Sequence, residues 1–350
     1  MRILHIAAHL GGGIGKAHAA IARELPDDVE QTFLLLEAPI DRRHAHTIAR
    51  CGGRVVVERE PAKIRALALQ SDIVQLEYWG HPLLDKYAPL VFVPGVKTVC
   101  WCHVSALFAP ALPAFPTIDR LVLTGEISLP VVPRAIRDRT SVINSGFGFS
   151  GVASHTRPPR RKSAIAYLGT VDFKKLHRGI FDAIDALDDG MDDDLTPISL
   201  WGHINAEVAS CAAAMRHPQR IALRGHTLDP ASALAEADIF FYPLRHDHYG
   251  TAENALVEAM SLGLVPVVLD NPAERKIVTH GRSGFVAPTI GACMPYLRRL
   301  VREPSLREEM ATNAVRESLT RSPARSANAF AALWCGLIAE RNSMQVRQYA

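Results

Sequence analysis

Ile239-Phe-Phe-Tyr242, Thr251-Ala-Glu-Asn-Ala-Leu-Val-Glu-Ala-Met-Ser261 and Val265-Pro-Val-Val-Leu269 follow one another within one stretch of the chain. The outer two are short apolar runs without polar alternation, the pattern of strands buried on both faces and therefore parallel. The middle segment is a helical candidate, long enough to carry the crossover between them.

The same alternation extends outward over most of the 350 residues. Further strands are expected at Ile3–Ala7, Gln31–Leu36, Arg54–Val57, Ile73–Leu76, Lys97–Cys102, Arg120–Leu123 and Ser141–Ile143. After the Pro- and Arg-rich Arg157-Pro-Pro-Arg-Arg-Lys162, they resume at Ala164–Tyr167, Ile198–Trp201 and Ile221–Leu223. Helical patterns fall at Lys16–Glu24, Phe181–Leu187 and Ala231–Ala237, and Ser305–Leu319 and Ala324–Glu340 close the chain as helices. These features predict an α/β protein of two doubly wound, Rossmann-like domains, 1–156 and 157–323, with the helix from about 324 to 350 packing back on the first.

Composition narrows the function classes. With 48% apolar and 21% charged residues the chain is an ordinary globular one, and a net charge of +3 argues against a nucleic-acid binder. The six cysteines are scattered, and Cys100-x-Cys102 has no second pair to complete a zinc site. The N-terminal residues enter a strand directly, and no run approaches the roughly 20 apolar residues of a membrane span. A soluble, cytoplasmic protein is expected, with loose attachment to a membrane surface left open. Arg157–Lys162 reads as a solvated linker rather than an anion patch.

His9-Leu-Gly-Gly-Gly-Ile-Gly-Lys16 follows the first strand. Glycines at such a turn let backbone amides approach a ligand, which makes Gly13 and Gly15 candidate contacts beside a purely structural reading. Position 16 is Lys where a dinucleotide fingerprint needs Gly, and Ala17 stands where a P-loop needs Ser or Thr. Neither phosphate cradle fits.

At Tyr242 a strand delivers the chain to a sheet edge. Thr251 is then a candidate N-cap, leaving the amides of Ala252 to Asn254 open to a diphosphate. Glu258 lies inside the helix among Leu256, Val257, Ala259 and Met260, where a carboxylate needs hydrogen bonds such as a ribose diol supplies. Asn254 shares its face, whereas Glu253 is rotated by about 140°. Glu253 either contacts a ligand or only complements the helix dipole. His246-x-His248 lacks the further ligands of a metal site.

These residues resemble the retaining glycosyltransferases of family 4 (group 1), which have the GT-B fold. The resemblance is strongest in Glu258-Ala-Met-Ser-Leu-Gly-Leu-Val-Pro-Val-Val268, Asn271-Pro-Ala-Glu-Arg275 and Gly281-Arg-Ser-Gly-Phe-Val286. It implies two Rossmann-like domains facing a central cleft, and Glu258 as the residue that holds the nucleotide ribose. Gly169-Thr-Val-Asp-Phe-Lys-Lys175 is similar to the segment whose lysine grips the donor diphosphate, implying that role for Lys175. Thr170 replaces the family's arginine there, with Lys174, Arg178 or Arg245 as substitutes. Gly250 stands where the family has an acid facing the donor sugar, so Asp247 and Glu253 are both candidates. Trp101-Cys-His-Val-Ser105 resembles the segment with the histidine that faces the donor sugar, implying that role for His103, beside a core-packing reading. Glu77-Tyr-Trp-Gly-His81 and Ala106-Leu-Phe-Ala-Pro110 occupy acceptor-side positions.

The resemblance implies sugar transfer from a nucleoside diphosphate to an acceptor hydroxyl with retained configuration, as in glycan or glycoconjugate synthesis. The acceptor class stays open among glycan, lipid-linked and small molecules. Neither a cofactor nor a metal is expected; Asp192-Asp-Asp194 contains D-x-D, but in a polar loop of the wrong architecture. Three rivals remain: a catalytically silent sugar-nucleotide-binding protein, a dinucleotide-dependent oxidoreductase and a sugar-nucleotide epimerase on the same double fold.

Overall fold

The computed structural model describes residues 1–39, 41–108, 110–115, 117–146, 162–187, 195–251 and 253–349, with side chains to 343. It divides into two compact units. The first comprises Met1–Phe147, Tyr249–Ala252 and Arg321–Ala350; the second comprises Gly148–His248 and Glu253–Thr320. The Arg157–Lys162 linker, apart from Lys162, and the Asp192–Asp194 motif lie outside the described residues.

The first unit holds β1 (Arg2–Ala7), α1 (Gly12–Ile21), β2 (Glu30–Leu35), α2 (Arg43–Arg50), β3 (Arg54–Val57) and α3 (Pro61–Leu69). It continues with β4 (Ile73–Tyr78), α4 (Pro82–Tyr87), β5 (Lys97–Cys102), β6 (Arg120–Leu123) and β7 (Thr140–Val142). All seven strands are parallel in the order β3-β2-β1-β4-β5-β6-β7. Leu4, Ile6, Val74, Leu76 and Leu121 pack in one apolar cluster, and Ile3, Ile73, Val99, Trp101 and Val122 in another. Both sheet faces are thus covered, which is why the strands lack polar alternation.

The second unit holds β8 (Ile165–Leu168), α5 (Ile180–Asp185), β9 (Ile198–Trp201), α6 (Ala206–Ala213), β10 (Ile221–Gly225), α7 (Pro230–Ala235) and β11 (Ile239–Tyr242). It ends with α8 (Asn254–Ser261), β12 (Val265–Leu269), β13 (Phe285–Ala287), α9 (Ile290–Arg302) and α10 (Pro304–Ser318). Its six parallel strands run β10-β9-β8-β11-β12-β13 around a single large core. The last helix, α11 (Pro323–Tyr349), belongs to the first unit, where Phe330 packs edge-on to Trp101 at 4.7 Å.

Three local expectations are corrected. Helix α1 starts at Gly12, not Lys16, with Gly11 as its N-cap. A Cβ on Gly15 would lie 2.0 Å from the Leu10 carbonyl oxygen, so the helix can wind back against the preceding turn only with glycine there. Helix α8 starts at Asn254, not Thr251. Strand β13 was not anticipated; its three residues are too few to show a period, and it exists by pairing Phe285, Val286 and Ala287 with Val267, Val268 and Leu269.

Candidate functional site

In a doubly wound sheet, ligands bind beyond the carboxyl ends of the strands where the strand order reverses. In the second unit that point lies between β8 and β11. Two backbone hydrogen bonds clasp the loops that follow: His177 N–H to Pro243 O at 2.9 Å, and Arg245 N–H to Lys175 O at 2.9 Å. The clasp carries Lys175 to the end of β11. Its Nζ lies 3.0 Å from the Tyr242 hydroxyl and 3.1 Å from Glu253 Oε2.

Glu253 reaches this point through a rare backbone conformation. It caps α8 with φ 37° and ψ 58°, the left-handed region that costs a non-glycine residue about 1–2 kcal/mol. The turn directs its carboxylate inward, where the Tyr242 hydroxyl donates to Oε2 at 2.6 Å. His248 Nδ1 stands 3.6 Å from Oε1. Burial alone would raise the Glu253 pKa, but Lys175, His248 and the tyrosine hydroxyl together hold it below the usual value. Burial, with the Glu253 charge beside it, pushes the Tyr242 phenol well above 10. Tyr242 therefore stays a donor.

The network continues inward. His248 Nε2 is 3.1 Å from Glu274 Oε1, and Asn271 Nδ2 donates to the same oxygen at 3.2 Å. Lys175, Tyr242, Glu253, His248, Glu274 and Asn271 thus form one connected polar chain. Local patterns did not show it: Tyr242 read as a strand end and His248 as half of a failed metal pair. Lys175 and Tyr242 alone are joined across 67 residues, a link only the folded sheet makes.

Of the two acids left open, Glu253 is the one beside Lys175. Asp247 instead forms an exposed ion pair with Arg245, whose Nη1 donates to Phe173 O at 3.2 Å. Glu258 is buried on α8, one turn from the half-buried Asn254. Gly169 has φ 155°, and a Cβ on Gly202 would fall 1.7 Å from the Gly169 carbonyl oxygen, so two loops touch where Thr170 stands exposed. Gly250 and Thr251 group with the first unit; Thr251 is buried and is not the cap of α8, and Ala252 lies outside the described residues.

In the first unit, Gly13 is exposed in the first turn of α1, whereas Gly15 is buried against Leu10. His103 follows β5 and bonds Glu77 Oε2 through Nε2 at 2.9 Å. Glu77, fully buried on β4, also meets His5 Nδ1 at 3.0 Å and His18 Nε2 at 2.9 Å. Gln75 donates to its Oε1 at 3.1 Å, and Trp334 of α11 donates to Gln75 at 3.1 Å. Burial opposes the Glu77 charge, yet the three imidazoles hold its pKa well below the usual value. Burial lowers the pKa of His5 and His103 despite that carboxylate. His103 is thus a fixed imidazole at the carboxyl end of β5.

Residues 162–302 match the family model described as Glycosyl transferases group 1. A comparison with curated protein sequences found no match. Among solved structures, the chain is similar to Anabaena Alr3699/HepE in complex with UDP, at 15% identity over 96% of this chain and 100% of that chain, TM-score 0.77. It is similar to a glycosyltransferase from Rickettsia africae at 11% identity over 96% and 98% of the two chains, TM-score 0.77. The lipopolysaccharide outer core galactosyltransferase WaaB is similar at 16% identity over 94% and 98%, TM-score 0.67. None of the described helices is long and apolar enough to cross a membrane. Residues 162–302 thus carry the glycosyl transferases group 1 match, in a chain whose two parallel sheets give it the GT-B fold.

Proposed function

We propose that the protein is a metal-independent, retaining hexosyltransferase that moves a sugar from a uridine diphosphate donor to an acceptor hydroxyl. The observation that carries this is Lys175, an ammonium held at the switch point of the second sheet by the buried Glu253 and Tyr242. A cation pinned there is already oriented for a diphosphate and needs no reorganisation as charge develops on the leaving group. Glu258 would take the ribose, with Asn254 toward the phosphates. Gly169, Thr170 and Arg245 would line the donor side. The C1–O bond to the diphosphate breaks, the acceptor oxygen bonds C1 from the same face, and the leaving phosphate takes the acceptor's proton. UDP is favoured as the nucleotide because similar structures hold UDP and UDP-glucose. Glycan or glycoconjugate synthesis in the cytoplasm, with peripheral membrane contact, is the setting this chemistry suits.

Thermal-shift titration with UDP, GDP, ADP and NAD tests the proposal, with transfer from UDP-hexoses measured alongside. UDP should raise the midpoint of the wild type by mass action and should not do so in Glu258→Ala. Stabilisation by NAD alone would sink it in favour of an oxidoreductase. UDP binding without hydrolysis or transfer would leave only a sugar-nucleotide-binding protein.

A further inference from the structure

The first sheet has its own switch point, between β1 and β4. Beyond the strand ends there, the chain presents His9 after β1, Glu37 after β2, and Trp79 and His81 after β4. The indole of Trp79 is half-buried, with its centroid 5.3 Å from the His9 ring and 5.7 Å from the His81 ring. His9 Nε2 lies 3.8 Å and His81 Nε2 3.7 Å from the same Glu37 oxygen, and all three side chains remain accessible.

Two imidazoles and a carboxylate suggest a metal site, but the hydrogen bonds exclude it. Gly11 N–H donates to His9 Nδ1 at 3.0 Å, and Leu83 N–H donates to His81 Nδ1 at 3.3 Å. Each Nδ1 is therefore an acceptor, and the ring proton sits on Nε2 in both. A histidine that ligates through Nε2 does the reverse, donating its Nδ1–H to a neighbour. The trio offers two N–H donors and one carboxylate acceptor.

The Nε2 to oxygen distances exceed a hydrogen bond. One hydroxyl about 2.8 Å from each partner would accept from an imidazole and donate to Glu37, closing both gaps. A phosphate or carboxylate would meet the Glu37 charge instead. The indole adds apolar surface of the kind that stacks on the C–H face of a pyranose. We propose that His9, Glu37, Trp79 and His81 form a saccharide-binding site, and that the acceptor is a pyranoside held there. Only the word acceptor rests on the transferase proposal; the saccharide site stands on its own geometry.

Saturation-transfer NMR on the full chain tests this with methyl α- and β-glucopyranoside, methyl α-galactopyranoside and inorganic phosphate, with UDP in the same tube. At least one pyranoside should take up saturation from the wild type. Its affinity should fall at least about tenfold in Glu37→Gln and in Trp79→Phe, each checked for an unchanged near-ultraviolet circular dichroism spectrum. No pyranoside signal, a signal that survives both substitutions, or competition by phosphate would each overturn the proposal. The UDP resonances report the donor site separately, so a silent sugar beside a bound UDP refutes this site and leaves the transferase proposal standing.

Discussion

Each unit has a switch point within its sheet, and the two are chemically opposite. In the second unit a permanent cation, Lys175, meets a carboxylate that is 1% exposed, and tyrosine and histidine complete the enclosure. In the first unit two imidazoles and Glu37 stand at 35%, 24% and 40% exposure with no lysine or arginine among them. A group that must stabilise developing charge gains from burial, because a low dielectric strengthens it and fixed partners remove reorganisation. Groups that read hydroxyls need to exchange hydrogen bonds with water and ligand alike. Topology thus chooses where a site forms, and side-chain charge and burial choose what it binds.

The largest test of this contrast is Lys175→Ala. Loss of the cation should lower transfer by about 10²–10³-fold, the scale for removing one preorganised stabiliser of transition-state charge. It should also destabilise the second unit by about 3 kcal/mol, because Glu253 would keep its buried charge without its main partner. Steady-state kinetics and urea unfolding measure the two effects. Activity within a factor of two of wild type would remove the reason for separating the switch points.

The interiors differ in the same sense. Glu253 is balanced by a lysine, but Glu77 by histidines, whose charge depends on pH. Glu77→Ala should cost about 2–4 kcal/mol, since it unpairs three buried imidazoles and Gln75 at once. Chemical denaturation monitored by the buried Trp101 and Trp334 reads it.

Acid should act mainly on the first unit. Burial lowers the pKa of His5, His44 and His103 there, and of His177 in the second. For each, the unfolded chain binds a proton near pH 6.5 while the folded chain still refuses it, so stability is present above that pH and lost below it. Glu77 and Glu253, also depressed, add their loss only as pH falls below about 4.5. The unfolding midpoint should therefore drop from pH 7 to pH 5, with the Trp101 and Trp334 signal moving first. A midpoint that rises over that interval would contradict the neutral assignment of these histidines.

Much of the fold was legible because parallel strands announce themselves: Lys97–Cys102, Ile198–Trp201, Ile239–Tyr242 and Val265–Leu269 have the bounds their apolar runs suggest. Helix starts were less so. Gly12, Gly13 and Gly15 are poor helix formers, yet α1 winds through them, and at Gly15 only glycine clears Leu10. Thr251 has the right chemistry for a cap, but the left-handed turn at Glu253 delays α8 past it. The site was legible only in part for a related reason. Lys175 stood out only through its resemblance to the family's diphosphate-binding lysine, and its partner is set by a backbone turn and by a tyrosine at the end of β11. The cluster around Glu77 joins residues up to 259 positions apart, from Gln75 to Trp334, which no window along the chain can see.

Smaller changes sharpen the contrast. Tyr242→Phe removes the hydroxyl that accepts from Lys175 and donates to Glu253, and should cost about 1.5–3 kcal/mol, the scale for hydrogen bonds to charged groups. Thermal unfolding would show it, with Lys175 still present to retain most activity. Asp247→Asn should do least. Its carboxylate is half exposed and engaged with Arg245 at the surface, where such pairs contribute about 0.5 kcal/mol or less. Transfer rate and stability should both stay near wild type, although Arg245 loses a partner. If Asp247→Asn instead abolished transfer while Glu253→Gln did not, the catalytic weight would lie with the exposed acid. The buried lysine cluster would then be a packing device, and the chemical difference between the two switch points would carry no functional meaning.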